Sequence, residues 1–279
     1  MTAAAKLKSP IKSNYFFPRL WRKEKVELGH LTLKLAKLRN TARSECKESQ
    51  TNFAFYCARH LQESHSQIFQ DLFVLYILGE KRNGFFCEFG ATNGLELSNS
   101  LMLESSWDWK GICAEPARGW HPEFQKNRPN TILETHCVWS VTGETLTFNE
   151  VRSKALSTID SFSTEDGHAR KRRGRRSNTY DVQTISLTDL FRKYDAPADL
   201  DFLSIDTEGS EYEILQHLDF ESYSPKIIAA EHNYTENREL LHSLLTSKGY
   251  SRHMTEYSMF DDWYIHESVT PAHDPGPQE

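Results

Sequence analysis

The order of apolar and polar positions divides the chain into two textures. Up to Gly79 the apolar residues recur at helical spacing. Leu28, Leu31, Leu35 and Leu38 form one stripe, with Lys34 and Lys37 between them, and predict an amphipathic helix. Packing on the domain is its first reading; a homodimer seam or an interfacial membrane helix is the alternative. A second helical stretch is predicted over residues 53–78, with Ile68, Leu72, Leu75 and Tyr76 on its core face and Gly79 as its stop. After Gly79, short apolar runs alternate with helix-like stretches, the signal for a parallel sheet with crossovers.

In that second part, strands are predicted at residues 85–89, 111–116, 131–139, 201–206 and 225–231. A short extra strand over 145–149 follows the turn at Thr142-Gly143, and residues 182–185 open a further unit. Helices are predicted over 95–104, around Phe124, and over 187–194, 211–218 and 236–247. Pro116 ends its strand by removing a donor and fixing φ. Residues 250–254 and 262–266, joined by a short connection, form an antiparallel pair. This pattern predicts an α/β fold: a Rossmann-like, class I methyltransferase sheet, mostly parallel, with an antiparallel C-terminal edge strand. The expected layout is an N-terminal helical extension over 1–66, one catalytic domain over 67–267 and a proline-bearing disordered tail over 268–279.

Composition narrows the function. A formal net charge of −6 over 279 residues implies no general affinity for nucleic acid. No apolar run reaches ~18 residues, so no transmembrane segment is expected. No apolar stretch follows Lys6 and Lys8, so no signal peptide is expected and a cytoplasmic protein is the default. Cys46, Cys57, Cys87, Cys113 and Cys137 are scattered, with no Cys-x-x-Cys pair, and suggest neither a disulfide framework nor a zinc site.

The candidate chemistry gathers at the strand ends. Gly84 to Gly94 reads as a strand followed by a glycine turn, which presents backbone N–H groups to a ligand above the sheet. The turn is Gly-x-x-x-Gly rather than Gly-x-Gly-x-x-Gly, which speaks against a dinucleotide. Glu88 before it and a second acid, Glu115, one strand later suit a cationic, ribose-bearing ligand such as S-adenosylmethionine. Glu88, Gly90, Glu115, Asp206 and Glu231 all fall where open α/β sheets bind ligands.

Leu203-Ser204-Ile205-Asp206-Thr207-Glu208-Gly209-Ser210-Glu211-Tyr212-Glu213-Ile214-Leu215 resembles the signature of the FkbM-family methyltransferases. Glu88-Phe89-Gly90-Ala91, Ala114-Glu115-Pro116 and Thr184-Ile185-Ser186-Leu187-Thr188-Asp189-Leu190 resemble further segments of that family, and the resemblance spans about residues 67–266. It implies S-adenosylmethionine-dependent O-methylation, often of sugar hydroxyls in polysaccharides, glycolipids or natural products. It further implies that Glu88, Phe89, Gly90, Ala91, Asn93 and Gly94 line the methionine end of the cofactor. By the same resemblance Glu115, followed by Pro116, would take the ribose hydroxyls, and Trp139 would sit near adenine. Asp206 is also a candidate cofactor contact, and Glu208 a further catalytic candidate. The family commonly has Asp where this chain has Glu88, and Asn-x-Gly where it reads Thr92-Asn93-Gly94.

A sugar hydroxyl is a poor nucleophile, so a base or a metal is expected. Asp206, Glu208, Glu231 and His232 end two strands expected to be neighbours. Asp206 or His232 is the expected general base. A divalent ion on Asp206, Glu231 and His232 is the less favoured alternative, and helix capping is a second reading of Asp206 and Glu208. The basic run at 170–176, with Arg172, Arg173 and Arg175, is either a solvated loop or a guide for an anionic sugar or glycan acceptor. Ser157, Thr158 and Asp160 precede it as weaker candidates for contacts to a hydroxylated substrate. Two other functions are less favoured. Methylation of nucleic acid is opposed by the acidic total and the lack of interleaved aromatics. A non-catalytic scaffolding module is opposed by the retained acids.

Overall fold

A computed structural model describes residues 48–151, 158–159 and 177–276. Two helices come first, α1 (Glu48–Arg59) and α2 (Gln70–Ile77), followed by β1 (Phe85–Phe89), α3 (Leu101–Trp107), β2 (Lys110–Ala114), α4 (His121–Asn127) and β3 (Ile132–Glu134). Next are β4 (Cys137–Trp139), β5 (Thr145–Val151), β6 (Thr158–Ile159), β7 (Ser177–Ser186), α5 (Leu187–Lys193), β8 (Phe202–Ile205) and α6 (Glu211–Leu215). The chain closes with β9 (Ile227–Glu231), α7 (Asn237–Ser247), β10 (Tyr250–His253), α8 (Thr255–Ser258) and β11 (Asp261–His266).

Seven strands form the central sheet in the order β10-β11-β9-β8-β1-β2-β3. β11 runs antiparallel to both neighbours and lies one strand in from the edge; the other pairs are parallel. This is the mostly parallel α/β sheet that the sequence pattern predicts. The apolar runs alternate between two faces, which is why they read as continuous. Ile227 and Ala229 of β9 join one buried layer, with Phe53, Phe73, Phe86 and Trp263. Ile228 and Ala230 join the other, with Phe191, Leu203, Leu215 and Leu245.

Five local expectations are corrected. The stretch 53–78 is two helices, because Asp71, fully buried, collects the Ser64 and Ser66 hydroxyls at 2.8 and 2.6 Å and wraps the intervening loop around itself. The helix expected over 95–104 begins only at Leu101, and Leu95 and Leu97 stay exposed. The strand expected over 131–139 splits into β3 and β4. Between them buried Glu134 turns the chain, accepting the His136 N–H at 2.9 Å and the Lys193 ammonium at 2.6 Å. Residues 182–185 belong to the long β7, which pairs with β4 and β5 in a smaller sheet ordered β4-β7-β5-β6, so they add no unit to the central one. The tail expected to be disordered is docked as far as it is described: the Ala272 N–H donates to the Ile77 carbonyl at 2.8 Å, and the His273 ring stacks on Tyr76 at 4.7 Å.

The described part of the N-terminal extension shares this core. Phe53 is fully buried against Phe73, Tyr76, Tyr257 and Trp263, and the Tyr257 hydroxyl donates to the Gln50 carbonyl at 2.7 Å. No helix among the described residues is long and apolar enough to cross a membrane.

Candidate active site

Strand order reverses between β1 and β8, and a ligand site is expected above their carboxyl ends. Gly90 stands there with φ +71, and a Cβ on it would lie 2.3 Å from the Asp206 carbonyl oxygen. Only glycine lets β1 leave the sheet this close to β8. Replacing Gly90 with Ala is expected to lower the melting temperature by roughly 5–10 °C, as positive-φ strain and the clash add. An unchanged thermal melt would show that the Asp206 carbonyl can yield.

The turn after Gly90 is held by Glu115. Its carboxylate accepts the Thr92 N–H and the Ala117 N–H, both at 2.8 Å, so it ties the first turn to the end of β2. Burial pushes its carboxyl up to about 7, against the opposing pull of those two N–H groups. Each oxygen keeps a second acceptor direction for a ligand hydroxyl. The Asn93 side chain accepts the Leu95 and Glu96 N–H groups at 3.1 and 3.0 Å and rounds the turn off.

Across the switch point is a group of acids. One carboxylate oxygen from each of Asp206, Glu208 and Glu231 lies within 4.8 Å of the other two. The register makes this pairing: Ile205 sits opposite Ala230, so the next residues on both strands, Asp206 and Glu231, are level. Asp206 is the least buried of the three, while Glu208 and Glu231 are buried. Glu211 fixes the loop between them, accepting the Thr207 N–H and hydroxyl at 2.9 Å each and the Gly209 N–H at 3.2 Å. Asp261, paired in register with Glu231, accepts from Gln70 Nε2 at 2.8 Å. Desolvation and then the charges of neighbouring carboxylates hold Asp206 and Glu231 well above the usual carboxylate range. Burial brings Asp261 to about 7.

A sequence profile described as "Methyltransferase FkbM domain" matches residues 88–260, more than half of the chain and all of the strand ends just described. The chain belongs to the FkbM methyltransferase family. S-adenosylmethionine is the methyl donor of that class. Among solved structures, the chain is similar to the methyltransferase FkbM from Methylobacillus flagellatus KT, at 11% identity and a TM-score of 0.42, over 85% of this chain and 60% of that one. It is also similar to an O-methyltransferase from Bacillus cereus in complex with SAH, at 11% identity and a TM-score of 0.39, over 85% of this chain and 97% of that one. A precorrin-6y C5,15-methyltransferase from Geobacter metallireducens GS-15 gives 12% identity and a TM-score of 0.36, over 71% of this chain and 87% of that one. The chain thus spans 60% of the length of the Methylobacillus protein. No curated protein matches it in sequence.

Within this FkbM methyltransferase, the residues expected from sequence divide into three groups. Phe89 ends β1, and Gly90, Ala91, Asn93, Gly94, Glu115 and Pro116 lie on the turns that follow β1 and β2 beside the switch point. Trp139 stands on β4 in the smaller sheet, packed between two apolar clusters. Glu88 has a different task from the one expected. Its carboxylate is taken up by the Ser98 hydroxyl at 3.0 Å, the Asn99 N–H at 2.7 Å and the Ser100 hydroxyl, with the Arg128 guanidinium 3.6 Å away. It shapes the loop that borders the site rather than facing a ligand.

His232 does not join the acids. It follows Glu231 directly, and successive residues of a strand point to opposite faces. Its Nδ1 accepts the Tyr234 N–H at 2.9 Å, and its Nε2 lies 3.7 Å from Asp262, which also binds Arg238 and Arg252. Glu208, not His232, is the residue that stands with Asp206 and Glu231. Arg172, Arg173 and Arg175 lie outside the described residues, as do Ser157, Asp160, Cys46 and the Leu28 to Leu38 stripe; Thr158 lies on β6. Sequence reasoning misses Arg128, Gln70 and Asp261. Gln70-Asp71, a polar pair opening a wholly buried helix, is the signal that could have found one of them.

Proposed function

We propose that this chain transfers the methyl group of S-adenosylmethionine to a hydroxyl of a sugar-type acceptor, acting in the cytoplasm. One observation carries the reading: the Glu115-anchored glycine turn and the Asp206, Glu208, Glu231 acids meet at one switch point. The residues fit the cofactor. Glu115 offers free acceptor directions for two ribose hydroxyls, and the absent side chain at Gly90 leaves room beside the strand end.

The cofactor supplies an electrophilic methyl carbon on a sulfonium. With the cofactor bound, its methyl group would pass to the acceptor oxygen as the methyl carbon–sulfur bond breaks and S-adenosylhomocysteine leaves, and Asp206 would take the acceptor hydroxyl proton. Burial and then the neighbouring carboxylates raise the pKa of Asp206, which makes its carboxylate a stronger base. Glu208 and Glu231 add acceptor atoms for a polyhydroxylated substrate. The basic run at 170–176 offers phosphate or carboxylate recognition on the acceptor.

Isothermal titration with S-adenosylhomocysteine tests the pocket. Replacing Glu115 with Ala is expected to weaken binding about 100-fold, the loss of two charge-assisted hydrogen bonds. The wild type carries its own pH signature. The ribose hydroxyls need the ionised carboxylate, and Glu115 titrates at about 7 without ligand. Affinity is therefore full above pH 7 and falls below it, approaching about tenfold per pH unit. Equal affinity in wild type and variant overturns the assignment. Transfer of a labelled methyl group to a panel of glycans and nucleotide sugars then tests the acceptor class, and cofactor binding with no transfer to any of them counts against it.

A further inference from the structure

We propose that Asp206, Glu208 and Glu231 form a binding site for one hard divalent cation of the Mg2+ or Mn2+ class. The donors are all carboxylate oxygens, one from each residue, within 4.8 Å of one another. Oxygen-only sets suit hard cations and disfavour copper or zinc. A cluster of acids alone would not carry this, since acids gather on many surfaces. The second observation is Glu231. It is 6% exposed, its carboxylate is hydrogen-bonded to Asp206 and lies within 4.8 Å of the other two, and its Oε2 has no hydrogen-bond partner among the described residues. A buried acceptor left unpaired is uncommon in folded proteins and marks a place where a ligand belongs.

The three ligands are also held in place before any ion arrives. Asp206 and Glu231 are fixed by the β8–β9 register. Glu208 sits at φ +61 in a loop pinned at Thr207 and Gly209 by the Glu211 carboxylate. Such positioning of ligands by surrounding hydrogen bonds is what metal sites require. One oxygen from each carboxylate is enough for the ion. The cation site does not rest on the methyl-transfer reading.

The experiment titrates the full-length chain with Mn2+, without cofactor or acceptor, and follows the free ion by electron paramagnetic resonance. The expected result is one Mn2+ bound per chain and displaced by excess Mg2+. Glu231→Gln, which keeps the side-chain shape, is expected to weaken it at least about tenfold, as is Asp206→Asn at the least buried end. No binding to the wild type up to about millimolar Mn2+ overturns the site. So does equal binding by both variants, which would place the ion on other acids. Circular dichroism reports folding; if the buried substitution at Glu231 does not fold, Asp206→Asn decides alone. Titrating the same samples with S-adenosylhomocysteine separates the two readings. Cation binding without cofactor binding sustains this site while failing the methyl-transfer proposal, and the converse overturns this site alone.

Discussion

Replacing Asp206 with Asn is expected to lower kcat about 1000-fold while leaving the affinity for S-adenosylhomocysteine within about threefold of wild type. Asparagine keeps the size and the hydrogen-bonding reach of the side chain but cannot take a proton. General base catalysis contributes on the order of 100- to 10,000-fold, so the loss falls in the middle of that range. Asp206 is the least buried member of the acid group, and its carbonyl, not its side chain, makes the close approach to Gly90. The substitution therefore leaves the backbone crossing of β1 and β8 intact. Single-turnover rates and cofactor titration on the same sample check the split. A variant with full turnover removes Asp206 from the chemistry. A variant that loses cofactor binding in proportion to turnover shows a binding role instead.

Replacing Arg128 with Ala is expected to destabilise the fold by about 3–5 kcal/mol, the usual cost of leaving a buried charge without its partner. The Arg128 side chain is fully buried. Its Nε donates to Glu104 at 2.5 Å, and its Nη1 donates to Ser100 at 3.0 Å and Ser98 at 3.2 Å, with Glu88 3.6 Å away. The guanidinium also lies over the Phe86 ring at 5.3 Å. Truncation leaves Glu88 buried with no cation and releases the 98–100 loop that borders the site. Lysine in its place is expected to recover only part of the loss, since a point charge cannot reproduce the fork that reaches Glu104 and the two serines together. Urea unfolding measures both variants. A loss below about 1 kcal/mol in the alanine variant would mean that the network is worth no more than a surface ion pair.

Much of the site is legible in the order of residues alone. Buried parallel strands are short apolar runs with a fixed side-chain period, so periodicity places their ends within about two residues. Putting Asp206 and Glu231 at neighbouring ends also puts them on one face, because the register makes them level. The glycine turn is legible for a similar reason, since a positive φ beside a close backbone approach demands glycine at Gly90. These are local properties, carried by residue type and spacing.

Other features depend on partners far away in sequence, and periodicity holds no record of them. Proximity in sequence groups His232 with the acids, but the turn at Tyr234 and the charge of Asp262 hold it on the other face. Glu88 passes for a cofactor contact because its position in β1 is right, but Arg128 and the 98–100 loop, distant along the chain, occupy it. The helix expected over 53–78 gives way because Asp71 collects a loop around a buried charge, an interaction stronger than helical propensity. The smaller sheet reads as part of the central one because β7 has the composition of any strand; its pairing with β5 settles where it lies. By itself the sequence determined most of the central strands, the glycine turn and the acids at their ends, because those follow from side-chain period and backbone sterics. Tertiary structure alone decided which acids face one another and which are consumed in holding a loop, because burial and long-range pairing choose among groups that the local pattern leaves equivalent.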